Sequence, residues 1–153
     1  MEVDSGHIVP SRRLDGHSGA VLCLGATGDE LFSGSADRSI GVWDPLRGDL
    51  KTQLNTHDGW VHSLCVSAGM LCSADSSFVA VSKADTSDVL RSFNAPDGLK
   101  ITCICILGDV VYMGTDQFKI LRWCVRQNKE VRRLHGHSRC TKAARLMFDV
   151  CTS

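Results

Sequence analysis

A repeat with a period of 40 residues constrains the fold of this 153-residue chain more than any other feature of its sequence. Histidines stand at positions 17, 57 and 137, and Asp97 takes the remaining position in this series. Aliphatic residues recur in the same register at Val21, Val61 and Ile101, at Leu24, Leu64 and Ile104, and at Leu31, Leu71 and Val111. A fixed period of about 20–50 residues is typical of chains built from stacked copies of one structural unit.

Each copy has the pattern of a four-stranded sheet. In the first copy, AVLCLGA, ELFSGS and SIGVWD are short apolar segments, GDLKTQL is a more polar one, and Gly, Asp and Ser lie between them. Short segments of this kind between turn-forming residues are typical of antiparallel strands joined by tight hairpins. We therefore predict an all-β fold, with strands at offsets of 40 from 20–25, 30–34, 39–43 and 50–54.

The dipeptide Gly16-His17, followed by FSGSADRSIGVWD, resembles a WD repeat, the unit that forms one four-stranded blade of a β-propeller. The first copy matches this pattern almost throughout, and the next two match it more loosely. The resemblance implies a tail with the outer strand of a preceding blade, then three blades, then the degenerate start of a fourth repeat. The corresponding boundaries are 1–15 for the tail, 16–55, 56–95 and 96–134 for the blades, and 135–153 for the last segment.

Three repeats and two fragments are fewer than the roughly four to eight blades of known propellers. An open arc of blades leaves apolar sheet faces in water, which soluble monomers normally avoid. We therefore expect an incomplete or open propeller. Truncation of a longer gene product is favoured over closure of a ring by two or more chains, because the motif stops midway through a blade.

In WD repeats a histidine, a serine or threonine, a turn aspartate and a tryptophan form a buried hydrogen-bond chain. Carried over to the first copy, these residues are His17, Ser33, Asp37 and Trp43. A buried hydrogen bond left unmade costs about 1–3 kcal/mol, so the resemblance implies a structural role for these residues rather than a catalytic one.

The second copy departs from this pattern. It keeps His57 and Ser73, but Ser77 stands at the aspartate position and Lys83 at the tryptophan position. We expect its hydrogen-bond chain to be broken and His57 to be solvated.

The third copy departs in other ways. It keeps Trp123, but Met113 stands at the serine position, Asp116 is one residue out of register and Cys124 follows the tryptophan. We expect the second and third blades to be less stable than the first.

The resemblance also implies a partner surface. In WD propellers the residues that flank the first aliphatic position of the inner strand lie on the rim of the central channel. In this chain they are Ala20 and Leu22, Trp60 and His62, and Lys100 and Thr102. Trp60 stands out because the other copies have Ala20 and Lys100 at its position, and exposed tryptophans are enriched in binding hot spots.

Composition narrows the class of protein. Lysine plus arginine equal aspartate plus glutamate at 17 each, so the net charge indicates neither nucleic acid nor an anionic membrane as partner. No apolar run approaches the roughly 18 residues of a membrane-spanning helix, and the acidic N-terminus lacks a signal peptide. We expect a cytoplasmic protein, with a nuclear location as the alternative, whose eight cysteines are reduced.

Two groups of residues suggest metal or redox sites. His135, His137 and Cys140, with Cys151 as a fourth ligand, have residue types that bind zinc. We favour the interpretation that His137 is a residue of the repeat rather than a zinc ligand, because Gly136-His137 is the Gly-His motif of the repeat itself. Cys103 and Cys105 share one face of a predicted strand, where core packing is favoured because Cys23 and Cys65 lie in the equivalent strands. We predict no metal and no cofactor.

A basic segment offers a nucleic-acid interpretation. Residues 119–145 contain nine basic residues and one acidic residue, Glu130. Charge on an outer, solvent-facing strand is favoured as the explanation, since charge also protects exposed sheet edges.

The favoured function is a non-enzymatic scaffold that binds a protein or peptide, of the ubiquitin-ligase or signalling adaptor type. No phosphate-binding glycine loop, H-E-x-x-H or G-x-S-x-G motif is present in the sequence. The alternatives are a nucleic-acid-associated protein that uses the basic segment, and the targeting module of an enzyme whose catalytic domain lies outside this chain. No small-molecule substrate and no membrane partner are expected.

Overall fold

The regular structure of residues 13–135 consists mainly of three four-stranded sheets. The computed structural model describes residues 13–135, where a short 3₁₀ turn at Pro96–Gly98 accompanies the strands. The first sheet contains β1 (Val21–Ala26), β2 (Leu31–Ser35), β3 (Ile40–Trp43) and β4 (Leu50–Leu54). The second contains β5 (Ser63–Ser67), β6 (Met70–Ala74), β7 (Phe78–Lys83) and β8 (Val89–Asn94). The third contains β9 (Ile101–Leu107), β10 (Val110–Thr115), β11 (Lys119–Cys124) and β12 (Lys129–His135).

Each sheet is an antiparallel meander whose strands lie in chain order, so each is one blade. We call them blade 1 (β1–β4), blade 2 (β5–β8) and blade 3 (β9–β12). The innermost strand of blade 2, β5, packs beside β1 on one side and β9 on the other. The predicted all-β fold is confirmed: the blades form an open arc rather than a closed ring.

Two apolar junctions hold the arc together. Between blades 1 and 2, Phe32 and Ile40 pack with Val61 and Leu71. Between blades 2 and 3, Cys72, Val79 and Val81 of blade 2 pack with Ile104, Val111 and Met113 of blade 3. Each junction therefore joins what we call the back face of one blade to the front face of the next.

The strands follow the period of 40 closely, with one local change in register. In blade 1, Leu31 pairs with Trp43, and in blade 3 the equivalent Val111 pairs with Trp123. In blade 2, Leu71 pairs with Ser82. The β6–β7 hairpin is thus one residue shorter than its counterparts, which shifts every later position of β7 by one.

Candidate functional site

The six rim residues predicted from the sequence lie at the starts of three adjacent inner strands. Ala20 and Leu22 lie at the start of β1, Trp60 and His62 precede β5, and Lys100 and Thr102 lie at the start of β9. Because β1, β5 and β9 are neighbours, the structure brings these residues to one edge of the arc.

Backbone hydrogen bonds fix the position of this rim. Within each blade the start of the inner strand bonds to the end of the second strand: Ala36 N–H donates to the carbonyl of Ala20 (2.8 Å), His62 N–H to that of Ala74 (3.1 Å), and Asp116 N–H to that of Lys100 (3.0 Å). Other bonds cross between blades, from Val61 N–H to Ser35 (3.0 Å) and from Ile101 N–H to Ser76 (2.8 Å). The backbone of the rim is therefore held by hydrogen bonds within and between the blades.

Trp60 is the largest exposed side chain on the rim. Its exposed fraction is 63 %, whereas the next residue, Val61, is fully buried. The predicted exposure of Trp60 is thus confirmed, while its role in binding stays a prediction. Leu22 and Lys100 are also exposed, and His62 is half-buried. Burial lowers the pKa of His62, and the neighbouring Asp75 carboxylate opposes that shift.

The predicted hydrogen-bond chain of blade 1 is present on its front face. Trp43 Nε1 donates to Ser33 Oγ (2.7 Å), which lies 2.6 Å from His17 Nε2. His17 Nδ1 lies 2.8 Å from Asp37 Oδ2. Because a carboxylate only accepts, Nδ1 donates to Asp37, and Ser33 Oγ, which accepts from Trp43, can donate its hydroxyl proton to Nε2.

Two features maintain this hydrogen-bond chain. Burial would raise the pKa of Asp37, but hydrogen bonds from Ser39, His17 and the Ser18 N–H outweigh it and lower the pKa well below its ordinary value. At Gly41 an added Cβ would lie 2.7 Å from Trp43 Nε1 and 2.9 Å from Ser33 Oγ. The absence of a side chain at this position therefore makes room for the indole to reach the serine.

In blade 2 the prediction that His57 is solvated was wrong, whereas the predicted break in the hydrogen-bond chain is present only at its tryptophan end. His57 is buried, with Nε2 2.8 Å from Ser73 Oγ and Nδ1 3.2 Å from Asp75 Oδ2. Asp75 replaces the aspartate that the period of 40 places at Ser77. The shorter hairpin is the reason, since Asp75 N–H bonds to Phe78 whereas Ser35 N–H bonds to Ser39.

The same shift corrects the tryptophan position of blade 2. The buried Ser82, and not the exposed Lys83, lies opposite Leu71 where Trp43 lies opposite Leu31. A sequence signal for the shift exists, because the tripeptide Ser-Ala-Asp occurs at 35–37 and again at 73–75, two residues short of the period.

In blade 3 apolar residues replace the polar chain. Met113 and Leu121, at the positions of Ser33 and Gly41, are fully buried. Trp123 stacks on Phe93 of blade 2, with ring centroids 4.2 Å apart and an interplanar angle of 9°. Its Nε1 is buried and has no hydrogen-bond partner in the described part of the chain. Asp116 Oδ1 accepts from Lys100 N–H (3.1 Å), as Asp37 accepts from Ser18 N–H (3.0 Å).

Comparison with known proteins agrees with this geometry. The family described as "WD domain, G-beta repeat" matches residues 8–44, which include the complete hydrogen-bond chain. This chain is a WD-repeat protein. The WD40 repeats of RRP9 superpose on 84 % of the chain with a TM-score of 0.76, at 23 % identity and over 42 % of the RRP9 chain, which shows the shared fold.

Two curated relatives are similar to part of this chain. Kinesin-like protein KIF21B of Mus musculus is 38 % identical over 69 residues, which are 44 % of this chain and 4 % of the relative. Myosin heavy chain kinase C of Dictyostelium discoideum is 40 % identical over 123 residues, which are 76 % of this chain and 16 % of the relative. This chain therefore spans a small part of each. WD repeats are typically protein-interaction scaffolds, and the fold is generally non-catalytic.

The other candidate sites of this WD-repeat chain are the zinc alternative and the cysteines of β9. His137, Cys140 and Cys151 of the zinc alternative lie outside the described residues. Within 13–135 no group of three or more His, Cys, Asp or Glu side chains is arranged to hold a metal ion. Over the same range no helix has the length and hydropathy to cross a bilayer. Cys105 is buried on the back face of blade 3, and that burial raises its pKa to about 11, as expected of a packed thiol.

The described part of the basic segment is partly neutralised. Arg126 pairs with Asp109, and Arg133 pairs with Asp97 and Glu130, each at 2.6 Å. These contacts reduce the positive field that a nucleic-acid backbone would meet there.

Proposed function

We propose that the chain is a non-enzymatic scaffold that captures a protein or peptide on the rim at the starts of β1, β5 and β9. It would act in the cytoplasm or nucleus as an adaptor in ubiquitin ligation, signalling or complex assembly. The WD-repeat family supports the class of function. The exposure of Trp60 is the observation that supports the place.

Trp60 has the properties of a binding anchor. The residue is 63 % exposed, and the other five rim residues include no second Trp, Tyr or Phe. The backbone beneath it is held, because Val61 is buried and donates a hydrogen bond to Ser35 of the neighbouring blade. A large side chain on a fixed backbone loses little conformational freedom on binding, which favours affinity.

The neighbours of Trp60 indicate the chemistry of the partner. Leu22 adds exposed apolar surface on the strand next to it, and Lys100 adds an exposed ammonium group on the other side. A peptide with an apolar side chain to cover Trp60 and an acidic residue toward Lys100 would match this surface.

The test compares Trp60→Ala with a matched control, Leu46→Ala, whose side chain is 91 % exposed in the β3–β4 turn outside the rim. Peptides that bind the wild type are selected from a random display library, and their affinities for the three proteins are measured together with thermal unfolding. We expect Trp60→Ala to weaken binding by at least about 2 kcal/mol, roughly 30-fold, with nearly unchanged unfolding. Unchanged binding together with a sharply lowered melting temperature would show that the ring is part of the core.

One comparison favours a second candidate function, the targeting module of a larger enzyme. The match to myosin heavy chain kinase C covers 76 % of this chain. The size of the endogenous protein, measured with an antibody against 13–135, tests this candidate. A band well above 16.6 kDa that carries kinase sequence by mass spectrometry would support it, and a product near 16.6 kDa would contradict it.

A further inference from the structure

The inner-strand part of the front face of blade 1, at Val21 and Leu24, is exposed where the equivalent surface of the other blades is covered. Val21 is 52 % exposed, whereas Val61 and Ile101 at the same position of the repeat are buried. Leu24 is 61 % exposed, whereas the equivalent Ile104 is buried. In blades 2 and 3 the cover is the back face of the preceding blade. Among residues 13–135, this apolar surface of blade 1 therefore lacks the partner that the equivalent surfaces of blades 2 and 3 have.

The back face of blade 3 shows the complementary difference. Tyr112 and Ile120 occupy the positions of Phe32 and Ile40, as the strand registers of the two blades show. Phe32 and Ile40 are buried by blade 2, while Tyr112 and Ile120 keep part of their surface exposed. Leu134, which pairs with Ile120 on this face, is also exposed.

We propose that a second copy of this chain covers both faces. The back face of blade 3 in one copy packs on the front face of blade 1 in the other, and the reciprocal contact closes the ring. The contact continues the junction that each chain already forms between blades 1 and 2 and between blades 2 and 3. It is independent of the proposed rim, which lies on an edge of the blades rather than on their faces.

The geometry of closure favours two copies. A contact between two different faces is head-to-tail, and such contacts produce a ring when the rotation closes and a filament when it does not. Two copies of residues 13–135 contain six blades, a number within the range of about four to eight blades in known propellers.

The mass of the 153-residue protein in solution tests this proposal first. By light scattering and sedimentation at micromolar concentration, we expect twice the 16.6 kDa of one chain. A monomer would overturn the proposal and leave the faces to further blades of a longer polypeptide or to another protein. An open series of larger polymers would overturn closure by two copies.

Three variants test the faces themselves. Leu24→Asp places a charge on the front face of blade 1, Leu134→Asp places one on the back face of blade 3, and Leu46→Asp is the control in an exposed turn. Each face variant should raise the dimer dissociation constant at least about 100-fold, because a carboxylate would be buried unpaired in the contact. The control should stay within about threefold of the wild type, and circular dichroism should show the same strand content for all three.

A mixture of the two face variants tests the head-to-tail arrangement. In a dimer of Leu24→Asp with Leu134→Asp, one contact carries both charges and the other carries neither. Native mass spectrometry of the mixture should therefore show the mixed dimer in preference to either pure dimer. A dimer that Leu134→Asp leaves intact would instead show front-to-front pairing and overturn the proposal.

Discussion

Blades 1 and 3 place a tryptophan at the same position of the repeat and surround it in opposite ways. In blade 1 the indole N–H of Trp43 bonds to Ser33, which continues to His17 and Asp37. In blade 3 the ring of Trp123 stacks on Phe93, and its N–H has no partner in the described residues. Hydrogen bonds hold the ring of Trp43, and apolar packing holds the ring of Trp123.

The difference shows what the repeat requires at this position. In blade 3 the fully buried Met113 and Leu121 replace the serine and the glycine of blade 1. The strand pairing of the two blades is nevertheless the same. Close packing of a large side chain is therefore sufficient for the blade geometry, and the hydrogen-bond chain is one of two ways to achieve it. Blade 2 is intermediate, since it has the histidine contacts and, at Ser82, no aromatic ring.

Removal of the first ring should produce the largest effect. We expect Trp43→Ala to lower the free energy of unfolding by about 3–5 kcal/mol, because it deletes a buried aromatic side chain and leaves Ser33 without its donor. Lys83→Ala, at an exposed position of blade 2, should be nearly neutral. Urea titrations of both variants provide the measurement, and equal losses would contradict the assignment of Ser82 rather than Lys83 to the tryptophan position.

A more selective change separates the two kinds of anchoring. Trp43→Phe removes a satisfied hydrogen bond and should cost about 1–3 kcal/mol. Trp123→Phe keeps a ring that can stack on Phe93 and removes an unpaired buried N–H, so its effect should lie within about 0.5 kcal/mol of zero. Both values come from the same denaturant titrations. A larger loss for Trp123→Phe would mean that its N–H is bonded in solution.

The period of 40 was sufficient to predict the three four-stranded sheets. Hydrophobic residues at fixed intervals determine which faces are buried, so strand positions follow from them. The polar chain followed from the resemblance, because its four residues are all present at the expected positions of the first copy.

The shortened hairpin of blade 2 could not be read from the strict period. Losing one residue in a turn leaves the apolar pattern of β6 unchanged but moves Ser82 inward and Lys83 outward. Asp75 then reaches His57 from a position two residues earlier than expected. Turn length is set by local backbone geometry, which hydrophobic periodicity does not report.

Blade 2 provides a pH-dependent test of its buried histidine. Burial lowers the pKa of His57 below its ordinary value of 6.5, and Asp75 opposes this shift. Because the unfolded chain then binds the proton more readily, this contribution to stability is fully present above pH 6.5 and is lost as the pH falls through the lower folded value.

The measurement is urea unfolding at about pH 7.5 and about pH 5.5. The wild type should be less stable at the lower pH. His57→Gln should lose part of this dependence. Burial also lowers the pKa of His62, so His62→Gln should lose a separate part of the dependence, and the two variants together assign each part to its histidine. An unchanged pH dependence in His57→Gln would show that His57 does not titrate differently on folding.

The smallest effect is expected where blade 3 replaces the histidine of the repeat. Asp97 stands at that position, but its carboxylate lies 2.6 Å from Arg133 on the surface, with both side chains partly exposed. Exposed ion pairs contribute little to stability and are screened by salt. Asp97→Ala should therefore shift the urea midpoint less than Asp37→Ala does, and the shift should shrink in high salt. A salt-independent loss as large as that of Asp37→Ala would mean that Asp97 takes part in a buried network like that of blade 1.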